Sequence, residues 1–204
     1  AASDVYKRQL MDLSTAVSQI HFPDSEEAAQ AARRRLSFDE FLFIQLGMLR
    51  RRQEWQSREG TPIPADESLL TAFLQSLPFE LTDAQRQSVN QIMSDMARDV
   101  PMSRLLQGDV GSGKTVVAAA AMLMAIAAGK QAALMAPTEI LAEQHYRTLS
   151  ELLSGAEVWG LRRPISVSLL TGSVGRVERR DIYDSLATGK LDIVVGTHAI
   201  IQRH

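Results

Sequence analysis

The chain has 204 residues, 45% hydrophobic and 23% charged, with a net charge of −2, an ordinary composition for a globular protein of one domain and part of another. It contains no cysteine, which excludes disulfides and thiolate metal sites and makes a reducing, cytoplasmic compartment the natural one. No apolar run approaches the roughly 18 residues of a membrane span, and no secretory signal opens the chain; basic and acidic residues number 9 and 11 over 1–77 and 13 each over 78–204, so bulk positive charge is excluded as a means of binding nucleic acid.

The chain opens AASDVYKRQ without methionine and closes IIQRH without a capping signal, which leads us to expect an internal fragment of a longer protein. Leu10, Leu13 and Val17 suggest a short helix before His21-Phe22-Pro23. Asp24 with Glu27, and again Ser37 with Glu40, read as two helix starts. The second helix, to about Trp55, carries an apolar stripe of Phe38, Phe41, Leu42, Leu46 and Leu49. Arg33 to Arg35 and Arg50 to Arg52 flank it and read first as solvated charge, second as contacts to a nucleic-acid backbone. Gly60, Pro62 and Pro64 break the pattern into a hinge or loop, and a helix of about Glu67 to Ser76 ends before Pro78.

From Pro78 strands and helices alternate. Thr82 caps a helix to about Arg98, and a short strand, Arg104 to Gln107, runs into LLQGDVGSGKT. A helix from Lys114 to Ala128 ends at Gly129, and QAALMA (131–136) reads as a strand buried on both faces. Thr138 caps a helix to about Leu153, Ile165 to Leu170 is a strand, Arg176 to Ala187 a charged helix closed by Gly189, and Leu191 to Val195 the last strand. Four strands joined by helical crossovers predict an α/β fold with a parallel sheet covered on both faces.

Gly108, Gly113, Lys114 and Thr115 fit G-x-x-x-x-G-K-[ST]. Glycines at 108, 111 and 113 let backbone N–H groups turn inward as an anion nest at a helix N-terminus. Gly108, Asp109, Val110, Gly111, Ser112, Gly113, Lys114 and Thr115 are therefore the candidate ATP phosphate site. Lys114 supplies the charge for the β/γ-phosphates, and the Thr115 hydroxyl a hard oxygen for Mg²⁺. In open parallel sheets ligands bind beyond the carboxyl ends of the strands. Four small or hydroxyl-bearing loops are thus expected on one rim: Gly108–Gly113, Pro137–Thr138, Thr171–Ser173 and Gly196–His198. They suit backbone contacts to phosphates; the plainer alternative is that they are turns and helix caps.

PFELTDAQ, LLQGDVGSGKT, MAPTEILAEQHY, LLTGS and DIVVGTHAIIQ resemble, in this order, the motifs of superfamily 2 helicases, in the wording of the RecG-type ATP-dependent DNA helicases. HFPDSEEAAQAARRRLSFDEFL resembles the helical segment before the motor there. The resemblance implies a RecA-like ATP-binding domain, truncated before the acidic Mg²⁺ motif, over 78–204. A helical arm over 1–60 and a connecting loop with a short helix over 61–77 precede it. It implies that Phe79 and Gln85 sit at the adenine, although Gln85 also reads as a plain helix-start residue. It implies that Pro137, Thr138, Glu139, Thr171, Gly172, Ser173, Thr197 and His198 track DNA; His198 alone equally fits a structural histidine. Trp159, Arg162 and Arg163 receive no role.

The implied function is remodelling of branched or forked DNA, with ATP and Mg²⁺ as cofactors, by a monomer with no membrane association. The implied partners within the same protein are a second RecA-like domain and an N-terminal wedge. With no acidic pair after His198 and no arginine finger in the sequence, the fragment is expected to hydrolyse almost no ATP. The translocase of a transcription-repair coupling factor, which shares GDVG and GTH, and a non-helicase P-loop module are the alternatives.

Overall fold

The computed structural model describes residues 10–155, 159–161 and 163–201. The opening AASDVYKRQ, Arg162 and the closing residues 202–204 lie outside them. The chain divides into two compact units between Arg58 and Glu59.

The first unit is a pair of helices, α1 (Leu13–His21) and α2 (Glu26–Gln56), packed on each other. The Asp12 carboxylate accepts from the Thr15 N–H to start α1, and the Ser25 hydroxyl accepts from the Ala28 N–H to start α2. Ala16 and Ala32 are fully buried. The two predicted starts after His21 are corrected to one. α2 runs unbroken for 31 residues, and an i,i+4 ion pair between Arg35 and Asp39 spans the position where Ser37 was to open a new helix. Good helix formers on both sides of Ser37, with no glycine or proline between, leave nothing to stop the first helix. Phe38, Phe41, Leu42, Leu46 and Leu49 of the apolar stripe are exposed.

The second unit starts with bonded chain. Gly60 N–H donates to Asp99 O and Ile63 N–H to Met96 O, so the Gly/Pro segment is tied down from Gly60 on. α3 (Glu67–Ser76) and α4 (Asp83–Met96) follow, then α5 (Lys114–Ala127), β1 (Ala132–Met135), α6 (Glu139–Leu152), β2 (Val167–Leu170), α7 (Arg176–Ala187), β3 (Ile193–Gly196) and a 3₁₀ turn (His198–Ile200). The sheet is parallel in the order β1-β3-β2. Met135 and Leu170 both pair with Gly196, so the three strands end level.

β3 is buried along its whole length, as a central strand of a covered parallel sheet must be. Its side chains alternate between two cores. Ile193 and Val195 join Leu69, Phe73, Val89, Leu123 and Leu149 from α3 to α6; Val194 joins Leu170, Ile182 and Leu191 under α7. The alanines of α5, Ala119 and Ala120, are fully buried, which lets that helix sit close. Phe73 meets Trp159 edge-on with ring centroids 5.2 Å apart.

Two strand expectations are corrected. The predicted strand Arg104 to Gln107 is not part of the described sheet. Leu105 is exposed, and the Arg104 guanidinium is held by Asp95 and Gln91 of α4. With Arg104 drawn to α4 and Leu105 in solvent, Leu106 is the residue of this segment that packs against the core. β1 is not buried on both faces: Ala133 and Met135 are exposed, because α7 packs on β2 and leaves the corresponding face of β1 open.

Candidate functional site

α5 ends at Ala127 and joins β1 through four residues, so its C-terminus lies at the start of that strand and its N-terminus points toward the level ends of the sheet. The Gly108–Thr115 loop is therefore on the rim side. Gly111 and Gly113 have φ of +83° and +78°, a region that costs other residues about 1–2 kcal/mol; Gly108, expected to share it, does not take a positive φ and is instead held to glycine by the close approach of the Ser112 hydroxyl. No side chain caps α5 at Gly113 and the Val116 N–H already donates to Gly113 O, so the N–H groups of Lys114 and Thr115 are the first-turn donors at the positive end of the helix. The Lys114 ammonium lies inside this loop. It donates to Gly108 O at 2.7 Å, to Asp109 O at 2.6 Å and to Ser112 Oγ at 3.3 Å. Val110 stands at the tip with its side chain fully exposed.

Gln85 stands at the helix start, as one of its two sequence readings has it, and also reaches the phosphate loop. Its Oε1 accepts from the Thr82 N–H while its own N–H donates to the Thr82 hydroxyl, closing a capping box at the start of α4. Its Nε2 donates to Ser112 O at 2.8 Å. Both ends of the amide are thus used, one on its own helix and one on the phosphate loop, and a Cβ on Gly113 would collide with that Nε2. Phe79 is half exposed and lines a cleft of about 550 Å³ with Thr71, Leu74 and Arg86. Gln85 is not among the residues that line this cleft, although its neighbour Arg86 is.

The other three rim loops follow directly from the level strand ends. Thr138 caps α6 by accepting from the Leu141 N–H, with Pro137 before it. The Glu139 carboxylate accepts from the Ser173 N–H at 3.2 Å and leaves no space for a side chain at Gly172 without movement. Thr171 is buried, its hydroxyl 2.8 Å from that of Ser173. Thr197 N–H donates to Leu170 O, and His198, exposed, opens the 3₁₀ turn. These loops are bonded to one another, with Glu139 serving as a brace between two of them.

At the opposite end of the sheet lies a polar cluster whose members had no assigned role. Asp192, almost fully buried, takes both arms of the Arg163 guanidinium at 2.7 Å and the N–H and hydroxyl of Ser166 at 2.8 Å each. Burial pushes its carboxyl upward, but the bonds from Arg163 and Ser166 and the Arg163 charge together outweigh it and hold the carboxyl below its ordinary value. Among the described residues no group of three or more His, Cys, Asp or Glu side chains could hold a metal, and no helix is long and apolar enough to cross a membrane.

Residues 82–204 match the DEAD/DEAH box helicase family. The chain is 51% identical over 96% of its length to the ATP-dependent DNA helicase RecG of Synechocystis sp., and 46% identical over 95% to that of Bacillus subtilis. It covers 23% and 28% of these proteins, and so spans about a quarter of the curated relatives it matches. A solved structure of RecG bound to a three-way DNA junction superposes on 99% of the chain with a TM-score of 0.79 and 41% identity, and the chain covers 27% of it.

Proposed function

From the premise that this chain belongs to the DEAD/DEAH box helicase family, we propose that it is the ATP-binding part of a monomeric, cytosolic DNA helicase that remodels forks and junctions. Likeness over nearly the whole chain to a RecG held on a three-way junction carries this reading. In it, the N–H groups of Gly111 to Thr115 cradle the phosphates of ATP. The Lys114 ammonium leaves the carbonyls of Gly108 and Asp109 for phosphate oxygens, which as charged acceptors bind it more strongly. The chemistry of the donors fits: main-chain N–H groups, one ammonium and one hydroxyl. Thr115 would give Mg²⁺ one oxygen, and the bound ion would neutralise charge between the phosphates.

Gln85, bonded to Ser112, holds the loop to α4 and is the link by which occupancy at the base would reach the phosphates. The Thr138, Thr171–Ser173 and Thr197–His198 loops would take one DNA strand by its backbone, with N–H and hydroxyl groups rather than base edges.

The test is unwinding of a synthetic three-way junction by the full-length gene product with ATP and Mg²⁺. Activity is expected, with a loss of at least about 10³-fold in Lys114→Ala, on the order seen when one charge on the transferring phosphoryl group is removed. A variant that unwound the junction at the parent rate, or a parent inert on branched DNA, would overturn the reading.

A further inference from the structure

We propose that the face of α7 bearing Arg176 and Arg180 is a binding site for the phosphodiester backbone, outside the four rim loops. Arg176, Arg179, Arg180 and Tyr183 fall at i, i+3, i+4 and i+7, which places them on one helix face. The acidic residues Glu178 and Asp181 fall off this stripe. Asp184 lies on the same face, four residues after Arg180 and 3.9 Å from it, with both side chains largely exposed, a pair too loose to neutralise the arginine.

Two members of the stripe are fastened to the rim. Arg179 Nη2 donates to Thr171 O at 3.0 Å and to Gly172 O at 3.5 Å. The Tyr183 hydroxyl donates to Ala199 O at 3.2 Å. α7 thus joins the Thr171–Ser173 loop to the turn after Thr197, and Arg176 and Arg180 continue outward from the same joint. The six residues Gly172, Val174, Arg176, Arg179, Arg180 and Tyr183 line an open cleft of about 650 Å³.

Helix stability does not explain Arg176. It is the first residue of α7, where the helix dipole disfavours a cation. A polyanion does explain it. Cβ atoms four residues apart on a helix are about 5–6 Å from each other, a spacing at which two guanidinium forks reach successive phosphates of one strand, and such forks match phosphate oxygens bidentately.

The inference rests on the reading of the chain as part of a DNA-remodelling enzyme. Its test is binding of the full-length protein to a labelled three-way junction across a salt series, comparing the parent with Arg176→Gln/Arg180→Gln and with Glu178→Gln/Asp181→Asn on the other faces. Loss of two phosphate contacts lowers the slope of log affinity against log salt by roughly 0.7–0.9 each and weakens binding on the order of tenfold. The arginine double variant is expected to show both changes with an unaltered melting midpoint, since both side chains are exposed. The acidic double variant is expected to keep the parent slope. A parent that binds and an arginine variant with the same affinity and slope would sink this site alone; a parent that does not bind the junction would sink the functional reading and this site with it.

Discussion

Gly196 has no room for a side chain, because a Cβ built on it would overlap the Leu170 carbonyl of β2 and press on Ile200. Its φ is not positive, so the constraint is one of approach: β2 and β3 come together there, immediately before Thr197. Gly196→Ala is expected to cost about 1–3 kcal/mol, the range for forcing extra atoms into a packed site, and to speed hydrogen exchange at the Thr197 amide. An unchanged denaturation midpoint would refute this. Residue-level reading of the sequence was strongest where a backbone shape demands one residue type. The glycines at 111, 113, 129 and 189 all take positive φ, and Lys114 lies in its own loop. It was weakest where a side chain serves two places at once. Nothing around Gln85 in the sequence announces Ser112, 27 positions later, as its second partner, and nothing around Glu139 announces the bond it takes from Ser173.

Among elements, the junction of β2 and β3 at their N-terminal ends carries a pH dependence. The folded carboxyl of Asp192 is held below its ordinary value, burial opposing and Arg163 with Ser166 prevailing. A depressed folded value means that its stabilisation is in full force above the ordinary aspartate range and is lost as pH falls through and below that range. Urea midpoints measured through the acid range should therefore fall as pH decreases, and Asp192→Asn should flatten that limb; equal slopes in the two proteins would remove Asp192 as its source. Arg163→Met leaves the buried carboxylate without its counter-charge and with only the Ser166 donors, and is expected to cost about 3 kcal/mol near neutral pH, the low end for breaking a buried pair, because the arginine itself is half exposed. Elements with an unambiguous local signature were legible beforehand: β3 as a run of branched apolar residues, α7 between Gly175 and Gly189, and α4 behind its capping residue Thr82. The misreadings share a cause, which is that a local pattern met a stronger neighbour. The capping pattern at Ser37 lost to a helix already under way, and the two leucines before the phosphate loop lost to the hold of α4 on Arg104. The open face of β1 depends on where α7 packs, which no stretch of residues records.

At the scale of the whole chain, the two units differ in what holds them. Among the described residues the core clusters draw only on positions from Ile63 onward, whereas the buried apolar residues of the first unit are Ala16 and Ala32, with Phe41, Phe43, Ile44 and Leu46 exposed. Residues 59–204 expressed alone should therefore keep a cooperative thermal transition by circular dichroism, while a peptide of residues 10–58 should lose helicity gradually on heating. A gradual loss in the longer piece would contradict the division. The chain also contains two tryptophans. Trp55 is partly exposed with the Arg58 guanidinium 5.1 Å from its ring centre, and Trp159 is edge-on to buried Phe73. Each unit thereby contains its own indole, one exposed and one partly buried against the core, so replacing either with phenylalanine yields a protein whose fluorescence reports the fate of the other half alone.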